Sequence, residues 1–337
     1  MFKRFLKIKI IVFVFRYKFR NLALNNLLKS KKIGKYFILD LSGFGFSWFG
    51  FLLYKLNFLE SIKFISCDGW PFLSDQKNSI NIWFGGTKLK IPKKYEKFSN
   101  NYVTASTLFT HTEKLVEFYP CKIKKRKQLS DPKIIIALSC KDTNDQFILN
   151  IWNKHKDKIL EDLSLLEHKD FWKKLELDSL EVKKKHYIYV CIKTLVRIEL
   201  LKIVKNKFKD KCILIGDDLK KYFPDAYKTK FSYGYLKKFY NGNICLDFLA
   251  KDGKQALYPR SIEILENGGI LTQIKTISSS QLFQGYKNDL VFNSDKEMLE
   301  ILSKLLKNKN LNEINEFFQS KFNNDSYNEN TLKKVLK

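Results

Sequence analysis

The 337-residue chain contains no Asp-x-Asp pair and no CxxC pair, and arginine is scarce: six of its 62 basic residues, at positions 4, 16, 20, 126, 197 and 260. Each shortage excludes something. Without an Asp-x-Asp pair, one common carboxylate signature for binding a metal is missing. Without CxxC spacing, the six cysteines (67, 121, 140, 191, 212, 245) give neither a zinc cluster nor a disulfide framework, and a reducing, cytoplasmic compartment fits. With so few guanidinium groups, the formal charge of +27 does not read as nucleic-acid recognition, which leans on the bidentate arginine fork. Long apolar runs are missing too. The longest in the first 35 residues, Ile10 to Phe15, is six residues, whereas a spanning helix needs about 20. That run is also short for a secretory leader, and no small-residue cleavage site follows it.

What is present is ample apolar and aromatic material: 45% hydrophobic residues, among them 29 Phe and 16 Tyr, enough for folded cores at a length that suggests two. The charge is unevenly spread. Residues 1–130 carry 25 basic and 7 acidic side chains, and the first 35 residues carry eleven basic ones and no acid. Interleaved with Phe2, Phe5, Phe13, Phe15 and Phe19, that segment (1–35) reads either as an interfacial anchor on an anionic membrane surface or as a solvated helix packing one face on the body.

Along the chain, short apolar runs separated by turns give strands at 36–41, 63–66, 80–84, 102–105 and 133–138, alternating with helix-length segments. This is the pattern of an α/β layer over residues 36–143. Gly43 and Gly45 form a strand-to-helix turn without the further glycine and acid of a dinucleotide fingerprint. Residues 144–208 are charged and helical in period, and read as a bridge. A second α/β series spans 209–308, with strands at 212–215, 244–248, 270–274 and 289–292. In it a helix begins at Pro259 and stops at Gly268-Gly269, and Ser294 caps another with Glu297 three residues on. Residues 309–337 make a terminal helix and tail.

The segment YPRSIEILENGGILT (258–272) carries the chemistry. On a helix from Pro259, Arg260 and Glu263 share a face near the carboxyl ends of parallel strands. A helix N-terminus and an arginine suit a diphosphate, and a carboxylate one turn deeper can accept two ribose hydroxyls. Read on pattern alone, the same spacing is also an ordinary surface ion pair.

The run RSIEILENGG resembles the donor-site signature R-x-x-E-A-x-x-x-G-G of group 1 glycosyltransferases of the spore-maturation-protein type, which have the two-domain GT-B architecture. CILIGDD and YGYLKKFYNGNICLDF before it, and LFQGYKNDLVFNSDKEMLEILSKLL after it, occur in that family's order, so the resemblance covers about residues 185–308. A weaker likeness lies at 82–118, where Gly86-Thr87 stands in an acceptor-side loop. The resemblance implies two Rossmann-like domains (GT-B-like) joined by the helical segment, with transfer of a sugar from a nucleotide-activated donor to a glycan or lipid-linked acceptor. It implies no separate cofactor and no metal. Glu263 would hold the ribose and Arg260 the diphosphate, with Lys251, Lys254 and Gly216 on the donor side. Gln255 stands where many relatives have a second Glu, and Gly85 replaces a His, so neither supplies a charged catalytic group. Of the four histidines (111, 155, 168, 186), His111 is the candidate base. The alternatives are an inactive GT-B-like binding module and a basic protein of membrane surfaces or nucleic acid.

Overall fold

The computed structural model describes residues 123–140, 144–175, 177, 180–227, 233–248, 259–286 and 290–323, together with six strands nearer the N-terminus. Those strands are β1 (Lys9–Phe15), β2 (Lys32–Ile33), β3 (Tyr36–Asp40), β4 (Ile62–Cys67), β5 (Ser79–Trp83) and β6 (Asn101–Val103), in the order β2-β3-β1-β4-β5-β6. All neighbours are parallel except β2 and β3. The apolar run at 10–15 is therefore strand, paired on both sides, and not helix. A run of this length rich in β-branched and aromatic residues suits a buried parallel strand, which needs no alternation. The Gly43–Gly45 turn lies outside the described residues.

The second sheet holds β7 (Ile134–Ala137), β8 (Cys212–Ile215), β9 (Ile244–Asp247), β10 (Ile270–Ile274) and β11 (Val291–Phe292), all parallel, in the order β11-β10-β9-β7-β8. Leaving out the two-residue β2, both sheets follow one rule. The first strand is flanked by the second and third, and the fourth and fifth extend beyond the third.

This pairing corrects two boundaries. The strand at 134–137, read with the N-terminal layer, sits inside the second sheet between β8 and β9. The helical stretch 144–208 is consequently no bridge between domains: it is the crossover that returns the chain from β7 to β8. It comprises α1 (Gln146–Glu161), a 3-10 turn (Leu163–Glu167), α2 (Lys169–Lys173) and α3 (Val182–Phe208). Asp145 starts α1 by accepting from the amides of Phe147 and Ile148.

Four helices follow β8 and its successors: α4 (Tyr233–Tyr240), α5 (Pro259–Glu266), α6 (Ile277–Phe283) and α7 (Asp295–Lys307). A right-handed crossover must change face when strand order reverses. Accordingly α3 packs on β8 and, with α1, against α7, whereas α4 lies on β7 and α5 on β9 and β10. Ser294 caps α7 as expected, accepting from the Glu297 amide at 3.1 Å.

The terminal helix α8 (Leu311–Phe322) is integral to this unit and is no appendage. Its Asn315 accepts from the Arg126 amide and donates to the Lys124 carbonyl, and Asn323 pairs in the same two-bond manner with Ile123. The buried Arg126 guanidinium donates to Asn312 and to the Gly242 carbonyl, completing the clasp. Helix α8 is thus tied to the segment 123–126 that leads into β7.

Candidate functional site

Neighbouring β7 and β9 send the chain to helices on opposite faces, so their carboxyl ends border a crevice, the position where open parallel sheets bind ligands. Three chain segments leave the sheet there: 138–140 after β7, 216–218 after β8 and residue 248 after β9. Helix α5 begins beside them. Its Arg260 donates from Nη1 to the Ala137 carbonyl, the last residue of β7. One turn on, Glu263 is 8% exposed. Arg260 therefore reaches the end of β7, and Glu263 lies buried one turn further along the same helix, which packs against β9 and β10.

Local sequence explains the helix. Pro259 opens it, since a missing N–H costs nothing in a first turn. It stops at Gly268, whose φ of 76° lies in the left-handed region open to glycine. The Gly269 amide donates back to Ile264 O and the Gly268 amide to Leu265 O, the paired bonds of a Schellman close. Between these ends Ser261, wholly buried, donates to Asp247 Oδ2 at 2.6 Å and lies 3.0 Å from Gln273 Oε1. Asp247 and Gln273 are register partners on β9 and β10, so one hydroxyl fastens the helix start to two strands.

Around this pair, Ser139 donates to Asp218 Oδ2, bridging the loops after β7 and β8. Gly216 is required by space: a Cβ there would collide with the Leu138 carbonyl oxygen, so its place at the end of β8 has a packing reason. Tyr240, 1% exposed at the end of α4, lies beside the Arg260 and Glu263 charges. Burial first, then the Glu263 carboxylate, push its phenol above the ordinary value, with Arg260 opposing. A neutral phenol thus lies next to the pair.

A second polar cluster lies toward the ends of β9 and β10. Lys193 of α3, largely buried, donates to Glu167 Oε1 at 3.1 Å and to the Tyr189 hydroxyl at 3.1 Å, and Tyr189 donates to the same carboxylate oxygen. Glu167 and Lys193, with Arg197, Phe248 and Thr276, border a cavity of about 20 Å³, the size of one water.

Sequence reasoning missed Ser139, Asp218, Tyr240, Asp247 and Ser261. A usable signal existed for three of them: IALS and ICLD end apolar strands on a polar residue, and GDD follows CILI directly. Of the remaining sequence candidates, Lys251, Lys254, Gln255, His111, Gly86 and Thr87 lie outside the described residues. Histidines 155, 168 and 186 belong to the helical crossover; His155, for example, packs edge-on against Phe171 at 5.7 Å. Among the described residues, no group of three or more His, Cys, Asp or Glu side chains could hold a metal ion. Likewise no described helix is long and apolar enough to cross a membrane.

The thiols give a pH-dependent prediction. Cys140, Cys191, Cys212 and Cys245 are buried. Burial pushes Cys212 up to about 12 from 9.0, Lys205 opposing and Asp225 adding. Below pH 9.0 this thiol is neutral in both states and its contribution is complete; as the pH rises toward about 12 the unfolded chain ionises first and stability is lost. Iodoacetamide at about pH 8 is expected to leave all four unmodified until denaturant is added, because the thiolate is the reactive form. Mass spectrometry showing fast labelling of any of them in the folded protein would contradict this burial.

No protein-family model matches the chain, and no curated protein matches it.

Proposed function

We propose that the chain is a GT-B-like glycosyltransferase that moves a sugar from a nucleotide-activated donor to a surface glycan or lipid-linked acceptor. The observation that carries this reading is the hydrogen bond of Arg260 to the last residue of β7, with the buried Glu263 one turn on along the same helix. The resemblance of residues 185–308 to group 1 glycosyltransferases supports it, and so does the shared strand order of the two sheets, which suits two Rossmann-like domains.

Each residue then has a task. Arg260 exchanges a neutral carbonyl acceptor for a diphosphate oxygen, a stronger charge-assisted bond. Glu263 accepts the two ribose hydroxyls. Ser261, through Asp247, fixes the helix so that both side chains keep their spacing. The amides at the start of α5 add positive potential for the diphosphate, and Lys251 and Lys254 are assigned to the same charge. Gln255 contacts the sugar, His111 is the base of the reading, and Gly86-Thr87 belongs to the acceptor side. A cytoplasmic place on the inner face of a membrane goes with a lipid-linked acceptor.

Thermal denaturation with UDP, GDP, ADP and CDP tests the reading. One of them is expected to raise the melting temperature, since a ligand at about 100 times its Kd stabilises the fold by about 2.7 kcal/mol. No shift with any diphosphate at millimolar concentration would count against the site. Binding without hydrolysis or transfer of any sugar donor would identify an inactive binding module instead.

A further inference from the structure

A groove of about 680 Å³ runs along the open edge of the second sheet, apart from the Arg260–Glu263 crevice. Among the described residues its polar lining is two carboxylates (Glu297, Glu300), two lysines (Lys275, Lys304) and two carboxamides (Asn293, Asn308), together with apolar Val291 and Leu305. Tyr286 stands in the same lining, its ring held against Phe317 at 5.1 Å. Some of these groups already interact: Glu300 pairs with Lys304 at 2.6 Å, and Glu297 Oε2 accepts from the Asn293 amide at 2.6 Å.

Three observations narrow the occupant. Among the described residues the lining charge is balanced, in a chain of net +27, so they offer no excess of cations to a polyanion. The edge strand is only two residues long, so an added peptide strand would gain almost no hydrogen-bond ladder. The volume falls in the range of about 300–1,000 Å³ usual for small-ligand sites. Donors and acceptors of both signs, closely spaced over an apolar floor beside an aromatic ring, match a ligand with hydroxyls around its rim and C–H faces above and below.

We propose that this groove binds a neutral oligosaccharide. Its course gives the binding a direction. Asn293 and Lys275 directly follow β11 and β10, so one end of the groove lies at the carboxyl edge of the sheet, the edge that also carries the Arg260–Glu263 crevice. Helix α7 follows β11 and returns alongside it, carrying Glu300, Lys304 and Asn308 toward the opposite edge. A glycan chain in the groove therefore has one end toward the crevice. The proposal stands on the groove itself and does not depend on the donor-site reading.

The full chain is to be screened on an array of neutral and acidic oligosaccharides, and the retained neutral glycan titrated by calorimetry. Tyr286→Ala is expected to abolish the titration. Glu300→Gln, a change on the exposed face of α7 that leaves the fold intact, is expected to weaken it about tenfold through loss of a charged acceptor. Both variants are expected to keep the wild-type response to nucleoside diphosphate, which separates this site from the crevice. Retention of no glycan, preference for acidic glycans, retention of extended peptides in their place, or unchanged affinity in Glu300→Gln would each overturn the proposal.

Discussion

Glu263→Ala is expected to weaken nucleoside-diphosphate binding about 100-fold and to abolish turnover of the sugar donor. The carboxylate is 8% exposed, so any bond it makes with a ribose is shielded from water. Hydrogen bonds to charged groups contribute about 1.5–3 kcal/mol each, and two hydroxyls on one carboxylate account for the factor at about 1.4 kcal/mol per tenfold. Glu263→Gln keeps the shape and one acceptor but not the charge, and should fall between the wild type and Ala. Glu266, one turn on, is 2% exposed, and its backbone carbonyl accepts from the Lys124 amide. Glu266→Gln should therefore leave nucleotide affinity untouched, and any loss there would appear in melting temperature. Calorimetry of the three variants, each checked by circular dichroism, decides. Wild-type affinity in a folded Glu263→Ala protein would place the ribose elsewhere.

Gly268→Val carries the largest expected effect on the fold. The backbone there sits at φ 76°, where an L side chain costs about 1–2 kcal/mol and a β-branched one is worst. Space is also short: a Cβ would lie 3.1 Å from Asn241 Oδ1 and 3.2 Å from Arg126 Cα. Asn241 accepts from the Lys127 amide, so a displaced Asn241 loosens the extended segment that leads into β7. Strain and crowding together should destabilise by about 2–4 kcal/mol, or roughly 5–12 °C in melting temperature for a unit of this size. Gly268→Asn should recover some of the loss, because asparagine tolerates the left-handed region. A Val variant that melts with the wild type would mean that the helix closes in some other way.

The strand ends and helix caps are legible in the sequence because their signals are local. Pro259, the Gly268-Gly269 stop and the Ser294 cap are each decided within a few residues by φ preference or by one orphan amide. Strand partnership is not local. The run IIIA at 134–137 reads as a buried strand, but nothing within it says that its neighbours are 212–215 and 244–247, about 80 and 110 residues away. Hence the crossover helices read as a bridge. The run at 10–15 misleads for a related reason: six apolar residues among lysines suit a membrane surface as well as a sheet interior, and only pairing with β3 and β4 distinguishes them.

At the site, the charged pair is legible from its spacing of three. The groups that position it are not. Ser261 is an ordinary helix residue in sequence, and its role depends on Asp247 and Gln273 arriving opposite one another on adjacent strands. Tyr240 likewise acquires its neighbours only when α4 packs on α5.

The clasp between Asn323 and Ile123 has a mechanical meaning. The Ile123 amide and Asn323 Oδ1 are 2.6 Å apart, so two points 200 residues apart in sequence are held together. A pull applied through residues 123 and 323 would load those side-chain bonds first, then the Asn315 pair, then the arginine beneath. The bonds would break in succession, like a zipper, at low force. Tension between these two points would therefore peel away α8 before shearing a parallel strand.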